Sequence, residues 1–232
     1  YVLAGAEERR DYIRRIIDWR RIGWVWLAVI VLLPLLQSLA AIAWGALNGA
    51  APADFAVLRG LLAKPWQLIP FTLGLFLFGP LPEELGWRGV LLGQLLRERG
   101  ALSASNVLGF IWLVWHIPLF LMEGTYQRTE MPLGSLLFWA WVLSLFALSN
   151  LMTWIYNGTG RSTLAAILFH FAVNFFGELL DLPAGLEGRR AVMIIVSALL
   201  VLAVSGAPRR LPRHTSAQPP VAAGGLPSHE GS

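Results

Sequence analysis

The chain has 232 residues, of which 56% are hydrophobic and 14% charged, with a mean hydropathy of +0.60 and a net charge of +4. Soluble domains carry about a quarter charged residues, so a greasy soluble helical bundle is the disfavoured alternative. The absence of cysteine excludes disulfides, thiolate zinc sites and cysteine nucleophiles. The arginines sit at the ends of apolar blocks, which reads as membrane topology and gives no reason to expect a nucleic-acid partner.

Residues 1–22 alternate arginines with Ile13, Ile16, Ile17 and Ile22 at helical spacing, the pattern of an amphipathic interfacial helix with a basic face. Residues 23–65 hold the first membrane span, about 23–44, and a Gly/Ala/Pro-rich connection. Residues 66–181 form a core that starts with a segment over 66–98, interrupted by Pro70, Pro80 and Pro82. It reads as one long helix kinked at the Pro80–Pro82 pair, with two shorter helices as the alternative. Spans at 103–122, 133–156 and 162–180 complete this core. Residues 182–206 contain the last span, about 191–206, and 207–232 are a Pro/Gly/Ser-rich tail expected to be disordered. The expected fold class is therefore all-α: a polytopic membrane protein of about six transmembrane helices around a polar intramembrane cavity. No A-x-A site follows the first apolar block, so no cleavable signal peptide is expected. Residue 1 is Tyr, so the chain reads as a fragment or as lacking its native start.

With the N-terminus inside, the arginines at 9–21, 97–99, 161 and 209–213 all fall on the cytoplasmic side, while Arg189 and Arg190 fall on the other. The bias places both termini in the cytoplasm.

Ionisable side chains inside apolar helices are costly and mark function by default. Here they are Glu83, Glu84 and Arg88 in PEELGWRG, His116 in WLVWHIPLF, and His170 with Asn174 in LFHFAVNFF. Glu84 and Arg88 are i,i+4 and share a face, as do His170 and Asn174; Glu83 points about 100° away from Glu84. Glu178 and Asp181, near a helix end, read as solvated. Counting 1.5 Å per residue from the arginine-marked ends puts Glu83, His116 and His170 roughly 21, 20 and 14 Å deep. They could meet in one cavity, expected to open to the cytoplasm. Polar glue between helices is the bland alternative, and for Glu84–Arg88 alone it is an even match. Together the residues suit hydrolysis: a carboxylate and a His to activate water, an Asn and a His to stabilise an oxyanion. The same Glu83, His116 and His170 could instead hold zinc as a His₂Glu set. There is no H-E-x-x-H, no G-x-S-x-G and no Gly-x-Gly-Asp.

At these residues the sequence resembles the CPBP family of CAAX proteases and bacteriocin-processing enzymes. EELGWR matches the family's E-E-x-x-x-R motif at Glu83, Glu84 and Arg88, followed by Gly89 as is common. His116 matches F-x-x-x-H, with Trp112 where the family has Phe, and His170 with Asn174 matches H-x-x-x-N. The segment YNGTGRSTLAAILFH resembles bacterial members. The resemblance covers about residues 66–178. It implies an intramembrane endopeptidase in which Glu83 activates water with help from His116, while His170 and Asn174 form the oxyanion hole. Glu84 and Arg88 are expected to be a supporting pair. Members have been described as metalloproteases and as glutamate proteases; no metal is the favoured expectation, with zinc as the alternative. The expected partners are the lipid bilayer, in a bacterial cytoplasmic membrane, and a peptide or membrane-protein substrate, lipidated or not. The rival functions are a non-catalytic immunity or scaffold protein and a proton-coupled transporter.

Overall fold

The computed structural model describes residues 5–205; the tail over 207–232 lies outside the described residues. In chain order the helices are α1 (Ala6–Ile17), α2 (Trp24–Leu47), α3 (Ala56–Ala63), α4 (Leu68–Leu77), α5 (Pro80–Gly86), α6 (Leu92–Glu98), α7 (Ala101–Leu121), α8 (Tyr126–Glu130), α9 (Leu136–Gly158), α10 (Thr163–Leu180) and α11 (Ala184–Ser205). A π-helical turn, Trp87–Leu91, joins α5 to α6. Among the described residues there is no strand, and six segments are long and apolar enough to cross a membrane. The all-α, polytopic reading is correct.

Local chemistry sets the ends of these helices. Ser135 and Ser162 accept the Phe138 and Ala165 backbone N–H groups, capping α9 and α10 at their starts. Asp181 ends α10 in the left-handed region at φ 48°.

Two boundaries differ from the sequence reading. The 66–98 segment breaks at Phe78–Gly79 rather than kinking between Pro80 and Pro82. Pro80 restricts the backbone of the residue before it, and Gly79 leaves the helical region with φ −143° and ψ −89°. Both prolines then occupy the first turn of α5, where a missing N–H is harmless. The last helix begins at Ala184, well before residue 191. Its first turns hold charge because the charge is satisfied there: Arg190 pairs with Glu187 at 3.3 Å and donates to the Val173 carbonyl.

Lipid tails are as apolar as leucine, so helix association rests on close packing rather than on exclusion of water. The main core joins α2, α7, α9, α10 and α11 through Ile30, Trp112, Met152, Ala165, Phe169 and Ile194. Small residues allow the closest approaches. A Cβ on Gly158 would lie 1.9 Å from the Trp26 ring of α2, so only glycine permits that crossing. α9 and α10 form the interior of the bundle, whereas the 65–98 segment is its least buried wall.

Candidate active site

The EELGWR residues enter the bundle on α5 and the π turn. Glu84 and Arg88 are both fully buried, and Arg88 Nη1 donates to the two Glu84 oxygens at 3.0 and 3.1 Å. A buried pair in so apolar a setting needs further partners to offset its lost hydration. His170 on α10 supplies one, its Nδ1 lying 3.0 Å from Glu84 Oε1. Ser149 on α9 supplies another, accepting from Arg88 Nη2 at 3.4 Å and donating to the Ser105 carbonyl at 2.9 Å. The guanidinium also lies over the Trp112 ring, 5.2 Å from its centroid.

Glu83 points elsewhere. It is half-buried and borders a cavity of about 450 Å³ that is also lined by Trp112, His116, His170 and Asn174. Its Oε2 accepts the Trp112 indole N–H at 2.8 Å, so the carboxylate is oriented rather than loose. Among the described residues, no donor reaches its Oε1. His116, one turn beyond Trp112, is also half-buried, with Nδ1 2.8 Å from the Trp112 carbonyl. Asn174, one turn beyond His170, sits beside the helix break: a Cβ on Gly79 would stand 3.7 Å from its Nδ2.

The acceptors define the imidazoles. A carboxylate and a carbonyl can only accept, so Nδ1 is the donor in both His170 and His116, and Nε2 is left for chemistry. All six residues singled out from sequence thus lie in one region. Glu83, His116, His170 and Asn174 reach the cavity, while Glu84 and Arg88 lie behind it.

Trp112, which stands where the resembling family has Phe, does more than fill that place. It touches Glu83 by hydrogen bond, Arg88 through its face, and the rings of His116 and His170 at centroid distances of 5.7 and 5.1 Å. The departure from Phe was itself the available signal, since indole donates and phenyl does not. The serines Ser105 and Ser149 gave no signal, because their roles depend on α7 and α9 meeting.

A cavity open to the cytoplasm and a cytoplasmic arginine-rich end cannot both hold. The outer lining of the cavity comes from Tyr126 and Gln127 of α8 and from Gly177, Asp181 and Glu187 at the α10–α11 turn. These belong to the end of the bundle opposite Arg97 and Arg161, because α7, α9 and α10 alternate in direction. The cavity and the arginine-rich end therefore face opposite ways. At the mouth, burial and the neighbouring Glu187, Glu130, Glu178 and Asp181 push the Tyr126 phenol up to about 12.

Among the described residues, no three His, Asp or Glu side chains gather closely enough to hold a metal ion.

The profile of the family described as Type II CAAX prenyl endopeptidase Rce1-like matches residues 65–176, the stretch that carries all three motifs. A CAAX prenyl protease 2 of Methanococcus maripaludis is 27% identical over 197 residues, covering 84% of this chain and 72% of the relative. By its motif-bearing core and by an alignment over most of both chains, this chain is similar to the Rce1-like CAAX prenyl endopeptidases.

Proposed function

We propose that the protein hydrolyses a peptide bond with a water activated by Glu83, without a resident metal. The observation that carries this reading is the convergence of Glu83, His116, His170 and Asn174 on one cavity. Glu83, held by Trp112, takes a proton from water as the hydroxyl oxygen attacks the scissile carbonyl carbon. Neutral His116 presents Nε2 as an acceptor that helps hold this water. The Asn174 amide and His170 then face the negative charge that develops on the carbonyl oxygen. With Nδ1 committed to Glu84, His170 can donate from Nε2 only as the imidazolium. The proton held by Glu83 passes to the departing amine as the C–N bond breaks, giving a free carboxyl and a free amine.

A second, apolar groove of about 560 Å³ borders the same Glu83 and His116 from the outside of the bundle, through Trp87, Ile111, Val114, Trp115 and Leu119. Trp115 and Val114 are 61% and 53% exposed there. This groove supports a substrate with an apolar or lipid-modified segment beside the scissile bond, in keeping with the relative's name. The test is cleavage of a prenylated CAAX-type reporter peptide by the purified protein in lipid nanodiscs, with Glu83→Gln as the inactive comparison. Equal turnover by the two forms would refute the mechanism.

A further inference from the structure

α1 crosses the outside of the π turn that follows the Glu84–Arg88 pair. The Tyr12 hydroxyl donates to the Leu85 carbonyl at 3.2 Å, and Arg15 Nη2 donates to the Gly89 carbonyl at 3.1 Å. Leu85 and Gly89 are the residues immediately after Glu84 and Arg88. The two contacts therefore hold the backbone just beyond each member of the buried pair. Arg15 is fixed in turn: Nη1 donates to the Tyr156 hydroxyl of α9 at 3.0 Å, and Nε donates to Asp11 at 2.9 Å.

Three features indicate a built contact. First, Arg15 is the buried residue of α1, at 8% exposure, while Ile13 and Ile17 are 52% and 65% exposed. The one buried side chain of α1 is thus a polar one, while two of its isoleucines stay exposed. Second, the Leu85 carbonyl before the π turn Trp87–Leu91 and the Gly89 carbonyl within it both accept from side chains of α1. Third, a Cβ on residue 89 would stand 2.9 Å from Tyr12 Cε2. Glycine there is what lets the ring lie against the turn.

We propose that Tyr12 and Arg15 are positioning residues for hydrolysis. They hold the π turn in the shape that presents Glu84 to both Arg88 and His170, and through Glu84 they aim His170 at the cavity. The inference rests on the peptidase reading of that cavity.

The test uses the full chain in nanodiscs, with Arg15→Ala, Arg15→Lys and Tyr12→Phe. Hydrogen exchange is followed at the amides of residues 85–92, and kcat and KM are measured on the prenylated CAAX-type reporter. Arg15→Ala should speed exchange over 85–92 while leaving α9 and α11 as protected as before. Its kcat should fall roughly tenfold or more with KM held within about twofold. Arg15→Lys, able to reach one of the acceptors, should recover part of that loss, and Tyr12→Phe should show a smaller effect of the same kind. Faster exchange with unchanged kcat would overturn the proposal, as would a loss of kcat matched by loss of folded protein. If the intact chain cleaves no such reporter, the substrate reading fails, and unchanged exchange over 85–92 would then overturn the positioning role independently.

Discussion

Arg88 Nη1 and His170 Nδ1 both donate to one oxygen, Glu84 Oε1, each at 3.0 Å. This shared acceptor ties the first motif to the third and leaves Glu83 as the carboxylate that faces the cavity. The two adjacent glutamates therefore differ in what their removal should do.

Glu83→Gln should abolish turnover while the protein stays folded, because its indole partner can still donate to the amide oxygen. Glu84→Ala should lower both activity and stability, since it leaves Arg88 buried without its counter-charge, at a cost of about 3–5 kcal/mol. Melting curves in detergent, paired with reporter cleavage, separate the two. Near-normal turnover in Glu83→Gln would remove it from the role of base.

Trp112→Phe restores the residue usual in the resembling family and keeps the ring packing while deleting the donor to Glu83. A hydrogen bond to a charged group contributes about 1.5–3 kcal/mol, so kcat should fall by roughly ten- to a hundredfold with the fold retained. An unchanged kcat would show that Glu83 needs no orientation from the indole.

Chelation should leave activity intact. The residue sharing a helix face with His170 is Asn174, a poor zinc ligand but a good donor to an oxyanion. Metal analysis of the purified protein, with activity measured after prolonged stripping, is the check. Stoichiometric zinc, with activity lost on removal and restored on return, would recast Glu83, His116 and His170 as ligands.

The orientation can be read with single engineered cysteines, since the chain has none of its own. Glu98→Cys lies at the arginine-rich end and Glu123→Cys beside the cavity mouth, and both positions are exposed. An impermeant maleimide applied to intact cells should label Glu123→Cys and spare Glu98→Cys if the arginine bias sets topology. The reverse pattern would put the mouth in the cytoplasm and both described ends of the chain outside.

Much of this protein was determined locally. Apolar blocks long enough to cross a bilayer fix the all-α architecture, because an unpaired backbone polar group in lipid costs too much for any open alternative. The i,i+4 spacings of Glu84 with Arg88 and of His170 with Asn174 follow from helix geometry alone, and so does the divergence of Glu83. Tertiary structure decided the rest. That Glu84 serves His170, that Trp112 orients Glu83 and that Ser149 supports Arg88 all depend on contacts between residues 29 to 86 positions apart. The cavity mouth could not be read from depths counted along separate helices, since depth says how far a residue lies from an end but not which end is open. The grip of α1 on the π turn was hidden for the same reason. Tyr12 and Arg15 look like ordinary members of a basic helix until Leu85 and Gly89, more than 70 residues later, are brought against them.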